Sequence, residues 1–94
     1  MTQVIWEFPL DASIDRQVVD MPASARVLSV AEQHGKLTVW ALWQRGDARI
    51  APKLFEIRGT GEDFALDASM RFLGTVLLAG GGYVVHVFVQ EEDR

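Results

Sequence analysis

The side chains with the most evident capacity for chemistry are the two histidines, His34 and His86. An imidazole acts as a general base when a nucleophile and an orienting group stand beside it, and it binds zinc when further ligands follow at short spacing. His34 lies in a predicted turn, and His86 alternates with Val85 and Val87 in a predicted strand. Neither has a Ser or Asp in a triad-like context or a third ligand at metal-like spacing. We therefore expect no metal site and no cofactor, and we expect that the protein is not an enzyme.

Glycine-rich turns are the next candidates, because backbone amides and a guanidinium together can hold an anion. Arg58, Gly59, Thr60 and Gly61 form such a stretch, and they are the candidate ligand-binding residues. The three glycines at 80–82 precede a β-branched strand rather than a helix, so they indicate a hairpin tip and not a phosphate site. The tripeptide at 45–47, Arg-Gly-Asp, is interpreted as a hairpin turn rather than a cell-adhesion motif.

Acidic side chains outnumber basic ones by thirteen to nine, which gives a net charge of −4, and there is no basic run. Binding to bare nucleic acid is therefore not expected, since it requires clustered Lys and Arg. The acidity either serves solubility or forms a surface directed at a basic partner protein. The candidate partner contacts are the following carboxylates: Asp47, Glu62, Asp63, Asp67 and the tail at 91–93. The carboxylates at 62, 63 and 67 are also where a catalyst would lie if the protein were an enzyme.

Composition sets the class of the molecule. The chain has 94 residues, of which 49% are hydrophobic and 23% charged, and it has no cysteine. These values predict one globular domain over residues 1–94, stabilised by apolar packing without disulfides. No basic N-terminal region precedes an apolar run, and no stretch approaches the roughly 20 apolar residues that cross a bilayer. We expect a cytoplasmic protein without membrane contact.

The stretch that must position the other elements is 36–44. Leu37, Val39, Ala41 and Trp43 alternate along it and share one face, while Trp40 and Leu42 point to the other. A strand that is apolar on both faces belongs in the interior of a sheet with material packed above and below. Since the two tryptophans lie on opposite faces, one of them can look away from the main core, and Trp40 is the candidate for a partner contact.

Further alternating segments with turn residues between them predict more strands, at 4–10, 14–21, 26–33, 50–59, 72–79 and 83–90. Pro9 should close the first strand, and the second should lie at an edge. Only 64–70 has helix-compatible spacing, of one or two turns. The fold class predicted is mostly β, a small antiparallel β-sandwich or open barrel with at most one short helical segment. Exposed strand edges and surplus aromatic residues also suggest a homodimer or a larger homo-oligomer.

Several short blocks along the chain carry a family resemblance. They lie at 4–10, 21–22, 27–30, 37–42, 59–61, 72–75 and 86–88. In this order they resemble a family of short phage and prophage proteins that consist of a single domain of unknown function. The loop at 79–82 is longer here than in many members. The resemblance carries no active site with it, and it implies a phage setting, in which small accessory proteins act by binding.

Three functions remain open on this basis. The first is an anti-defence inhibitor that binds a host protein or defence complex, favoured because an anionic surface is attracted to the basic channels of nucleic-acid-handling machines. The second is a sponge that sequesters a small nucleotide signal, with Arg58 and the glycine-rich turn holding phosphate and a tryptophan stacking on the base. The third is a phage structural or assembly protein.

Overall fold

The computed structural model describes residues 2–91, and antiparallel strands dominate this span. Within these residues seven strands follow one another: β1 (Gln3–Pro9), β2 (Arg16–Pro22), β3 (Arg26–Gln33), β4 (Lys36–Gln44), β5 (Ile50–Gly59), β6 (Met70–Leu78) and β7 (Tyr83–Gln90). A 3-10 turn, Ala79–Gly81, connects β6 and β7. No helix in residues 2–91 is long and apolar enough to span a bilayer.

The strands form two sheets, a three-stranded sheet with the order β1-β4-β3 and a four-stranded sheet with the order β2-β5-β7-β6. The sheets approach each other most closely along β3 and β6. Gly74 permits this approach, because a Cβ atom at that position would lie 3.0 Å from Cγ1 of Val30. With β3 and β6 packed together, β1 and β2 are the free edges of an open antiparallel sandwich. The predicted fold class is confirmed.

The core lies between the two sheets. From β4 it takes Leu37, Val39 and Ala41, each no more than 2% exposed. The four-stranded sheet contributes Phe55 and Ile57 of β5 and the buried valines of β7, at 85, 87 and 89. The prediction that 36–44 is an interior strand is therefore confirmed to the residue.

Pro9 and Pro22 lie where a missing N–H group costs nothing. The Leu10 N–H donates to the Leu37 carbonyl at 2.9 Å, and bonding alternates along an antiparallel ladder, so the backbone nitrogen of Pro9 faces away from β4. By the same alternation the Ala23 N–H, which donates to the Arg49 carbonyl at 2.8 Å, leaves Pro22 facing outward. Both free edges thus end at a proline, as predicted for the first strand.

The expected short helix at 64–70 is wrong. Residues 61–69 cross the outer face of the four-stranded sheet without regular structure, and Met70 already belongs to β6. The Phe64 ring packs on Phe88 of the sheet, with ring centroids 5.9 Å apart. The carboxylate of Asp67 accepts a hydrogen bond from the Ser69 N–H at 2.8 Å. These contacts hold the segment against the sheet and outweigh its weak helical spacing.

The three tryptophans have different environments. Trp43 faces the core and is partly buried, with its Nε1 atom enclosed and without a hydrogen-bond partner among the described residues. Trp40 points to the outer face of the three-stranded sheet and is half-buried. Trp6 pairs with buried Ala41 and so shares the core-side face, yet it is 61% exposed because it belongs to the free edge β1.

Candidate partner-binding surface

Three phenylalanines form a cluster on the outer face of the four-stranded sheet. Phe72 of β6 and Phe88 of β7 are cross-strand partners, with ring centroids 5.5 Å apart and an edge-to-face arrangement. Phe64, from the loop at 61–69, adds the third ring. Phe88 is 9% exposed, whereas Phe64 is 42% and Phe72 is 54% exposed. We call Phe64, Phe72 and Phe88 the aromatic surface.

A β-bulge brings Phe72 and Phe88 onto the same face. The register between β6 and β7 shifts between Phe72 and Gly74. Since successive side chains point to opposite faces, a regular ladder would have placed Phe72 opposite Val89 on the core side. Alternation along the sequence did not predict this cluster. The feature that could have indicated the bulge, and with it the cluster, is Gly74 inside an otherwise apolar strand. An isolated glycine in a strand marks a bulge or a close approach.

Arg58 lies beneath the aromatic surface. Its Nη2 atom is 2.9 Å from Oε1 of Glu56, its Nη1 atom is 3.5 Å from Oδ2 of Asp15, and its guanidinium carbon is 5.2 Å from the Phe64 ring centroid. The Arg58 side chain is only 15% exposed. Two carboxylates therefore balance its charge, and its contact with Phe64 helps to fix the loop.

The glycine-rich turn beside Arg58 is also occupied from within the chain. The Gly59 N–H donates to Oε2 of Glu62 at 2.7 Å, so a carboxylate already fills the position that an external anion would take. The Oγ1 atom of Thr60 lies 2.7 Å from Nε2 of His86. Nδ1 of His86 is in turn 2.9 Å from Oγ1 of Thr75. The turn, β7 and β6 are thereby tied together through one imidazole.

Asp47 and Asp67, like Glu62, have hydrogen-bond partners within the chain. Asp47 accepts hydrogen bonds from the Ser24 N–H at 2.9 Å and from the Arg49 N–H at 3.1 Å, and its side chain is 8% exposed. Hydrogen bonds from Ser24, followed by those from Arg49, hold the pKa of Asp47 well below its usual range. Hydrogen bonds from the Ser69 backbone and hydroxyl lower the pKa of Asp67. Asp47 therefore stabilises the turn at 45–47.

The structure groups only part of the predicted contact set. Glu62, Asp63 and Asp67 share the exposed loop next to the aromatic surface. Trp40 lies on the outer face of the other sheet, and Asp47 lies in the turn between β4 and β5. A flat partner surface cannot touch all five. Glu91 is engaged in contacts between the sheets, and the rest of the predicted acidic tail, residues 92–93, lies outside the described residues.

Two cavities open at the surface of the described residues. An open cavity of about 590 Å³ lies between the β1–β2 connection and the β3–β4 hairpin tip, where Leu10 and Leu37 line it. A smaller cavity of about 330 Å³ adjoins Asp47. Within the described residues no group of three or more His, Asp and Glu side chains is arranged to hold a metal ion.

A family model for a domain of unknown function, DUF7352, matches residues 1–94. The chain belongs to the DUF7352 family. Searches of curated proteins and of solved structures returned no match. The expectation of a family built on one domain of unknown function is thereby confirmed. In this DUF7352 domain, the aromatic surface combines rings from the loop at 61–69, β6 and β7.

Proposed function

We propose that this protein acts by binding another protein through the aromatic surface and the carboxylates beside it. The observation that carries the proposal is the exposure of Phe64 and Phe72, at 42% and 54%, on the outer side of the four-stranded sheet. Leu66 in the same loop is 47% exposed. Protein interfaces typically centre on aromatic anchors surrounded by a polar rim. Here Glu62 and Asp63 supply that rim.

The charge of the rim favours one class of partner. A surface with exposed carboxylates and a chain with net charge −4 favours a partner with a basic face, because complementary potentials increase the association rate and disfavour wrong partners. Nucleic-acid-handling complexes present such faces. In a phage or prophage setting, we propose that the partner is a host defence complex whose basic channel is blocked.

The nucleotide-sponge alternative has less support. Its expected anion site consists of Arg58 and the turn at 59–61. Both groups have partners within the chain, since Glu56 and Asp15 neutralise Arg58, and Glu62 accepts the Gly59 N–H. A phosphate would have to displace these carboxylates. Loss of such contacts costs about 1.5–3 kcal/mol per charged hydrogen bond.

A site-specific photocrosslinker at position 72 tests the proposal in host lysate. We expect a basic protein to be crosslinked from position 72 and not from position 50, where Ile50 is 63% exposed at the start of β5. With the captured protein purified, Asp63→Lys should raise the dissociation constant about tenfold, a loss of roughly 1.4 kcal/mol. Ile50→Ser, the matched control, should leave it unchanged.

Two results would overturn the proposal. One is capture of the same protein from positions 72 and 50 with equal yield. The other is stoichiometric release of a nucleotide from the denatured protein, abolished by Arg58→Ala, which would establish the sponge instead. Capture of virion components alone by the aromatic surface would replace the defence complex with an assembly role.

A further inference from the structure

The free edge of the four-stranded sheet presents a defined set of backbone groups. The Ile57 N–H donates to the Asp15 carbonyl and the Ala23 N–H to the Arg49 carbonyl, both at 2.8 Å. Because bonding alternates along an antiparallel ladder, Gln17, Val19 and Met21 face β5. The N–H and C=O groups of the three alternate residues therefore point to solvent, and these residues are Arg16, Val18 and Asp20.

The side chains of these three residues place a positive and a negative charge on opposite sides of a central valine. Arg16 and Asp20 are both exposed and stand at equal distances on either side of Val18, which is 58% exposed. All three lie on the outer face of the sheet, opposite Glu56, Leu54 and Pro52 of β5. Among the ion pairs within residues 2–91, none includes Arg16 or Asp20.

We propose that β2 pairs antiparallel with β2 of a second copy of this chain, about a two-fold axis through Val18. In this register Val18 lies opposite Val18 of the partner subunit, and Arg16 lies opposite Asp20 of the partner subunit. Three hydrogen-bonded residue pairs form, with two backbone hydrogen bonds each. Two cross-strand ion pairs flank a covered valine pair, and opposite charges in this position are favourable.

The charges select this register among the two-fold alternatives. An axis through Arg16 or Asp20 would place like charges opposite each other, which is destabilising. An axis through Gln17 or Val19 would leave one charge of each strand opposite a valine. Pro22 has no N–H to offer and lies just beyond the paired residues, so it does not interrupt the ladder.

The other free edge offers no comparable match. The only charged residue of β1 is Glu7, whose Oε2 atom already accepts a hydrogen bond from Nε2 of Gln33 at 3.0 Å. Two copies of β1 could therefore form no intermolecular ion pair between opposite charges. The β2 pairing joins two four-stranded sheets into one of eight strands, and it places both aromatic surfaces on the same side.

Charge reversal tests this pairing in the full chain. Light scattering after size exclusion should give twice the chain mass of 10.5 kDa for the wild type. Arg16→Asp and Asp20→Arg should each place like charges opposite each other and raise the dimer dissociation constant on the order of 100-fold. Mixing the two variants in equal amounts should restore a dimer, since each then supplies the charge that the other lacks. The double variant R16D/D20R should also be a dimer.

Ile5→Lys on β1, where Ile5 is 53% exposed, is the matched control and should remain dimeric. Circular dichroism of all variants should match the wild type, because the changed side chains are exposed. A wild type with the mass of one chain at high concentration would overturn the proposal. So would single charge reversals that stay dimeric, failure of the mixture to dimerise, or dissociation by Ile5→Lys.

Discussion

Glu91 connects three strands that belong to both sheets. It accepts hydrogen bonds from the Val27 N–H of β3 and from Nε of Arg71 in β6, both at 3.0 Å, and it lies 3.7 Å from Nζ of Lys53 in β5. Its side chain is 17% exposed. Burial raises the pKa of Glu91, but the hydrogen bonds from Val27 and Arg71 and the charges of Arg71 and Lys53 outweigh it, so the pKa is lowered. The charged form therefore holds the two sheets together.

Glu91→Ala should lower the free energy of unfolding by about 2 kcal/mol, because it removes charged hydrogen bonds and leaves the Val27 N–H without an acceptor. Urea denaturation at pH 7 measures the loss. Glu32→Ala, at an exposed position of β3, is the control and should change stability by less than about 0.5 kcal/mol. Equal effects of the two substitutions would show that the Glu91 contacts do not stabilise the fold.

The lowered pKa of Glu91 also predicts an acid dependence. A carboxyl whose pKa is lower in the folded state contributes its full stability above the unfolded value of about 4.3, and that stability is lost as pH falls through the folded value. Wild-type stability should therefore fall below about pH 4.3, and Glu91→Gln should fall less steeply because it has no proton to gain there. The thermal midpoint recorded from pH 7 down to pH 3 tests this. Parallel curves would contradict it.

At this scale the sequence showed which residues carry charge but not which charges serve the fold. Asp47 accepts a hydrogen bond from the Ser24 N–H, and Glu91 accepts one from the Val27 N–H, across long stretches of chain. Such pairings depend on which strands become neighbours, and local spacing does not contain that information. For the same reason the sequence could not show that the Glu62 carboxylate accepts the hydrogen bond of the Gly59 N–H.

At the scale of elements, alternation was a reliable guide. The bounds expected at 26–33 and 36–44 match β3 and β4 to the residue. The two-residue turn at His34 and Gly35 fixes where the two strands of the hairpin end and begin. The φ angles of these two residues are positive, 52° and 80°, as a two-residue hairpin turn of type I′ requires. The failure at 64–70 has the opposite cause, since a segment with weak spacing takes its path from the surface on which it packs.

The contact between β3 and β6 gives a prediction for a pair of residues. Gly74→Ala should lower the free energy of unfolding by about 1 kcal/mol through overpacking, because the new Cβ atom would lie 3.0 Å from Cγ1 of Val30. In a Val30→Ala background the same substitution should cost much less, since the opposing methyl groups are absent. A double-mutant cycle by urea denaturation measures the coupling. Strict additivity would mean that the two strands relax apart without cost.

At the scale of the whole molecule, the sequence predicted a sandwich or open barrel but not the membership of its sheets. The chain passes from one sheet to the other between β1 and β2, between β2 and β3, and between β4 and β5. β1 therefore pairs with β4, and β2 pairs with β5. Turn residues locate the ends of strands, whereas these long-range pairings are decided by how the apolar faces pack together.

The exposed loop at 61–69 has a consequence for the covalent continuity of the chain. A glutamate-specific protease that cuts after Glu62 would separate β1 to β5 from β6 and β7. The fragments would still share the β5–β7 ladder, in which Phe55 pairs with Val89 and Gly59 with Val85. We expect two bands on a denaturing gel but one peak in native size exclusion, with an unchanged circular dichroism spectrum; fragments that elute apart would contradict this. The fold can then be supplied as two separate polypeptides that assemble into one structure.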